Sequence, residues 1–100
     1  MSKRVVYAPS AIRDLEGTLN YIAHDNPEAA TRVAREIREA IGLLGDFPFL
    51  GRSMKEPGFG GHRALVIGNY LVFYVVTEED IQIRRLIHGA REYGALLKDE

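Results

Sequence analysis

The sequence predicts an α+β fold in the order β-α-α-β-β-β. An N-terminal strand leads into an antiparallel helical hairpin packed on an antiparallel β-meander, and a short C-terminal helix follows. Three observations predict it. Three β-branched and aromatic runs between His62 and His88 are separated by two short polar breaks, the pattern of a meander. Upstream, two stretches carry apolar residues at steps of three and four, the period of one helix face. Between them stands Asp25-Asn26-Pro27-Glu28, which ends one helix and starts the next.

The elements follow in chain order. Val5, Val6 and Tyr7 mark a short strand from Lys3 to Tyr7, and Pro9 ends it while suiting the first turn of a helix. Ser10 is a candidate cap, although Arg13 stands where a capping box has Glu or Gln. Ile12, Leu15, Leu19 and Ile22 share one helical face. Gly17 weakens this helix by about 1 kcal/mol relative to Ala unless something packs closely on it. Asn26 caps the second helix, Pro27 takes its first position, and Glu28 meets the positive end of the dipole. That helix is expected from Pro27 to about Leu44, burying Ala30, Val33, Ile37, Ala40, Ile41 and Leu44, and Gly45 stops it. Its outer face carries the exposed pairs Glu28–Arg32, Arg32–Glu36 and Arg35–Glu39, worth a few tenths of a kcal/mol each. The turn between the helices is tight, so they pack as a hairpin. Residues 46–61 have no period, and Phe47, Phe49, Leu50 and Phe59 are expected to tuck under this loop.

Gly68-Asn69 is a two-residue turn, because both residues tolerate the positive φ of a hairpin. It sets Ile67 opposite Tyr70, Leu65 opposite Val72 and Arg63 opposite Tyr74. Ala64, Val66, Leu71, Phe73 and Val75 then share a purely apolar face, which is assigned to the helices. The mixed face with Arg63, Tyr70 and Tyr74 is expected to stay open to a partner. A symmetric turn at Glu78-Glu79 would bury Arg84 beside Phe73, which is costly without a partner. A bulge is therefore expected, placing Ile81, Ile83 and Ile87 in the core and Arg84, Leu86 and His88 on the mixed face. Ala90 to Leu97 is expected to form the last short helix.

One hundred residues correspond to one domain, residues 1–100, with one modest core. The chain has no cysteine, which removes disulfides and thiolate catalysis. The longest apolar run, Tyr70 to Val76, is far too short to span a bilayer, and the N-terminus does not read as a signal peptide. The expected compartment is the cytoplasm, with no membrane partner. Thirteen basic and fourteen acidic residues give a net charge of −1, so bulk charge does not suit a phosphate backbone. A local basic patch remains compatible: Arg52, Lys55 and Arg63 face only Glu56 between Gly51 and Asn69, and Arg84, Arg85 and Arg91 follow.

The three histidines, His24, His62 and His88, are not at metal-ligand spacing, so no metal is expected, and no sequence implies a cofactor. His24 is a helix-dipole partner and His62 begins a strand. Arg63, Arg84 or Arg85, His88, Arg91 and Tyr93 fall where strands end or enter the mixed face. Together they could bind phosphate and do acid–base chemistry on an RNA 2′-hydroxyl, or they could be ordinary solvated residues. The stripe Ile12, Leu15, Leu19 and Ile22 packs on the sheet, or leaves part of itself as a groove for a partner peptide.

The ordered set Tyr21-Ile22-Ala23, Asp25 to Ala30, Leu43-Leu44, Phe47-Pro48, Gly51-Arg52, Arg63, Tyr70, Tyr74 and His88-Gly89-Ala90-Arg91-Glu92 resembles the ParE toxins of the RelE/ParE superfamily. The likeness runs over nearly the whole chain. It implies a bacterial type II toxin, neutralised by a cognate antitoxin, that inhibits DNA gyrase by binding it and is not an enzyme. Target contact is then expected at Arg63, Tyr74, His88, Arg91 and Tyr93, and antitoxin contact at Leu15, Leu19, Ile22 and Tyr70. The related RelE branch implies the alternative, a ribosome-dependent mRNA endoribonuclease using Arg63, His88, Arg91 and Tyr93. Where that branch places a C-terminal tyrosine, this chain has Leu96-Leu97. A third reading is a non-toxic interaction module of the same fold.

Overall fold

The computed structural model describes residues 2–89. The expected C-terminal helix, with Arg91 and Tyr93, lies outside them. The elements are β1 (Arg4–Tyr7), α1 (Pro9–Asp25), α2 (Pro27–Gly42), one 3-10 turn (Leu43–Gly45), β2 (Arg52–Ser53), β3 (His62–Ile67), β4 (Tyr70–Val76) and β5 (Asp80–His88). The helices lie against a five-stranded sheet ordered β1-β5-β4-β3-β2. β1 runs parallel to β5, with Tyr7 beside Ile83, and the other neighbours are antiparallel. The N-terminal strand is present as predicted; its parallel pairing with β5 and the two-residue edge strand β2 are what the sequence did not indicate.

The hairpin between the helices turns on Asn26. Its N–H donates to Ile22 O and closes α1, while its side chain accepts from Ala29 N at 3.0 Å and opens α2. The cap of α1 is Ala8, not Ser10, and it makes no side-chain bond there. Ala8 N instead donates to Ile83 O at 2.8 Å, which fastens the strand-to-helix turn to β5. α2 buries Ala30, Ile37 and Ile41 as its spacing predicts. α1 buries Ala11, with Leu15 packed beside it, while Ile12 is exposed, so the buried stripe is turned from the predicted one. None of the exposed ion pairs expected along α2 is closed among the described residues; the two present are Arg52–Glu56 and Arg85–Asp14.

The β3–β4 register is as predicted, from Ile67 beside Tyr70 to Arg63 beside Tyr74. The faces are exchanged. Ala11, Ile37, Ile41 and Leu44 pack on Leu65, Val72, Tyr74, Ile81, Ile83 and Leu86. Ala64 and Phe73 lie on the other side with Met54 and Ile87, joined by Phe59 and Leu71. Tyr74 is fully buried, so it belongs to the core and not to a contact surface. A tyrosine can enter a core when its hydroxyl finds partners. This one donates to Pro48 O and accepts from Gly51 N, both at 2.8 Å. The side away from the helices is partly covered as well, by Met54 and Phe59, while Val66 stays exposed.

The expected bulge is present. Tyr74 pairs with Ile83 and Phe73 with Arg85, which leaves Arg84 as the extra residue, exposed to water. The extra residue resets the alternation. Ile81 and Ile83 before it, and Leu86 after it, all reach the helical core, whereas Ile87 joins the second cluster.

Of the four residues expected to tuck under the loop after α2, Phe59 does so, packed beside the buried Met54. Phe47, Phe49 and Leu50 are exposed, contrary to expectation. The Tyr74 hydroxyl bonds hold the backbone, and Arg63 Nε donates to Gly51 O at 2.9 Å. Gly51 is required by close approach: a Cβ there would lie 2.7 Å from Ala64 O and 2.8 Å from the Tyr74 ring.

Two outcomes follow. Tyr74→Phe leaves the buried Gly51 N and the half-buried Pro48 O without that partner and is expected to lower stability by about 1–3 kcal/mol. Gly51→Ala is expected to cost about 1–3 kcal/mol through overpacking. Urea unfolding midpoints check both; midpoints equal to wild type would refute the tethering. Burial also raises the Tyr7 phenol above its ordinary 10.0, opposed by the nearby Arg38 charge. The folded state therefore holds this proton more tightly, and the associated stability is full below about pH 10 and lost as pH rises through the folded value. The alkaline loss is expected to be smaller in Tyr7→Phe, read from unfolding curves between about pH 9 and 11.

Candidate functional site

β5 outlasts β1. Beyond Tyr7 and Ala8 the chain leaves the sheet for α1, so among the described residues no strand lies beside the outer edge of β5 from Leu86 onward. The helix supplies the missing acceptor. Asp14 Oδ2 takes the Leu86 N–H at 3.0 Å and the Arg85 Nε–H at 2.7 Å, while Oδ1 takes an Arg85 terminal N–H at 3.3 Å. One carboxylate thus clamps α1 over β5 just after the bulge.

Past the clamp a groove of about 600 Å³ opens between α1 and the end of the sheet where β4 begins and β5 finishes. Its helical wall carries Arg13, Gly17 and Tyr21, each four residues from the next, with Asp14, Thr18 and Ile22 one position on. Its sheet side is Tyr70, Leu86 and His88. Tyr70 and His88 are cross-strand partners whose rings meet edge to face, 5.6 Å between centroids. Gly17 leaves the wall open, since a Cβ there would meet nothing within 4 Å. Tyr21 is 70% exposed at the rim. Aromatic, arginine and aliphatic groups in one cleft, volume in the usual range, fit a recognition site.

The structure therefore gathers three predicted residues: His88, Ile22 and Tyr70. Leu15 packs against the core, and Leu19 is half-buried but does not line the groove. Arg63 stands elsewhere. It pairs with Tyr74 whereas His88 pairs with Tyr70, which is about 13 Å along β4 and about 10 Å across two strand spacings. Arg63 and His88 thus do not meet around one reacting group. His62 opens β3 with its ring edge-on to Phe59. Among the described residues no cluster of His, Cys, Asp or Glu could hold a metal ion, and no helix is long and apolar enough to cross a membrane. Sequence reasoning alone does not single out Arg13, Asp14, Gly17, Thr18 and Tyr21, which line the groove. A glycine within a helical pattern, four residues from Arg13 and four from Tyr21, is the available signal.

Residues 5–93 match the family described as the ParE toxin of the type II toxin–antitoxin system, parDE. The chain is 31% identical over 98 residues to a putative toxin, Y4kP, of Sinorhizobium fredii, covering 95% of this chain and 97% of that one. Its fold is similar to a chain of the chromosomal ParDE toxin–antitoxin system from P. aeruginosa, with TM-score 0.74, 22% identity, and 87% and 96% of the two chains covered. It is also similar to a chain of the RelBE2 toxin–antitoxin complex from Mycobacterium tuberculosis, with TM-score 0.64, 21% identity, and 88% and 99% covered.

The clamp gives a direct outcome. Asp14→Ala strands the buried Leu86 N–H and is expected to cost about 1–3 kcal/mol, whereas Asp14→Asn keeps an acceptor and is expected to cost less. Chemical denaturation of both variants checks the order; equal losses would contradict the backbone role.

Proposed function

The chain belongs to the ParE toxin family of type II toxin–antitoxin systems, and from this premise we propose that it inhibits DNA gyrase by binding, and that a cognate antitoxin holds it inactive by covering the groove beside α1. The observation that carries the binding reading is the separation of the candidate residues. Ile22, Tyr70 and His88 share a cleft built for contact, while Arg63 lies at the other end of the sheet. A nuclease needs its cation and its acid–base group around the same phosphodiester. A binder has no such requirement and gains from aromatic and arginine anchors in a desolvated cleft. Net charge near zero supports a protein target over ribosomal RNA. The reading places its action in the cytoplasm.

The alternative is a ribosome-dependent mRNA endoribonuclease using Arg63, His88, Arg91 and Tyr93. Similarity to the RelBE2 toxin fold favours keeping it, and Arg91 and Tyr93 lie outside the described residues.

Supercoiling of relaxed plasmid by purified gyrase is the test. The protein at micromolar concentration is expected to block the reaction, the antitoxin to restore it, and Tyr21→Ala with His88→Ala to weaken the block. Undisturbed supercoiling, together with cleavage of ribosome-bound mRNA that Arg91→Ala abolishes, would replace this reading with the nuclease.

A further inference from the structure

The stretch from Leu43 to Leu50 exposes four large apolar side chains: Leu43 by 50%, Phe47 by 59%, Phe49 by 69% and Leu50 by 52%. Single exposed apolar residues are ordinary, but four within one turn-rich stretch are not. Summed over the four side chains, the exposed apolar surface is on the order of 400 Å².

The stretch is also held in place. Phe47 N donates to Leu43 O at 2.9 Å and Leu50 N to Phe47 O at 3.2 Å. The buried Tyr74 hydroxyl ties Pro48 and Gly51, and Arg63 Nε ties Gly51. A surface fixed by so many bonds presents its side chains at little further entropic cost on binding.

Arg63 adds a charge. Its guanidinium carbon lies 5.1 Å from the Phe49 ring centroid, while its Nε is engaged by backbone. Among the described residues no carboxylate lies within ion-pair distance of it. A cation stacked on an exposed ring, with terminal N–H groups available, suits a carboxylate flanked by apolar side chains.

We propose that this knuckle is a second docking surface, taking an apolar segment of the antitoxin that carries a carboxylate for Arg63. The inference rests on the antitoxin reading above and deepens it. Tyr70 lines the groove and Tyr74 anchors the knuckle, about 13 Å apart along β4. One antitoxin chain engages both ends through a short extended stretch, and each contact raises the effective concentration of the other.

Calorimetric titration with the antitoxin encoded in the adjacent reading frame tests it. Phe47→Ser with Phe49→Ser is expected to weaken binding about tenfold or more. Arg63→Gln keeps a donor for Gly51 O but removes the charge, so it is expected to weaken binding and flatten its salt dependence. Leu50→Asp supplies an independent variant, and unchanged thermal midpoints certify the fold in each. If wild-type protein fails to bind the antitoxin, the partner reading falls and this inference with it. If wild type binds and all three variants bind equally well, only the knuckle is refuted. Sedimentation showing that the wild type self-associates through Phe47 and Phe49 would assign the patch to a second copy of the chain and equally overturn the proposal.

Discussion

The single extra residue at Arg84 decides how the sheet meets the helices. Without it, alternation along β5 would send either Ile81 and Ile83 or Leu86 away from the helical core. With it, all three face Ile37, Ile41 and Leu44, and a charged residue is left in solvent. The same offset sets the course of the strand past the end of β1, where Leu86 N–H meets Asp14. The groove beyond is a consequence: α1 is pinned at Asp14, and Tyr70 and His88 line the opening past the pin.

Local chemistry was legible and non-local geometry was not. Asn26-Pro27 and Gly68-Asn69 act through bonds and dihedrals within four residues, so cap, turn and register could be read directly. The choice of sheet face could not. Val72, Phe73 and Tyr74 are consecutive and all buried, so β4 is apolar on both sides and its alternation carries no direction. Polarity misled as well, since Tyr74 is satisfied by Pro48 and Gly51, contacts 26 and 23 residues away. The parallel partner of β1 lies more than seventy residues on, beyond any periodic signal. For the site, His88, Ile22 and Tyr70 were visible as ring and aliphatic groups near element ends. The helical wall was hidden because Asp14 gains its role only from Arg85 and Leu86.

Two separated surfaces also bear on how a toxin of this family can be silenced. The groove is concave and mixed in character, while the knuckle exposes apolar side chains with one guanidinium over the Phe49 ring. A partner that fills only a concave site is lost when that site opens. A partner also held at a distant rigid point rebinds before it escapes, which slows dissociation without any single strong contact.

The central claim is that the cleft between α1 and the β4–β5 hairpin is where the target is held. Amide chemical-shift mapping of isotopically labelled protein titrated with purified gyrase addresses it residue by residue. The binding account expects the largest changes at Gly17, Thr18, Tyr21, Tyr70 and His88, with little change at Val66 on the opposite side of the sheet. Changes centred on Val66, or none at saturating gyrase, would contradict it.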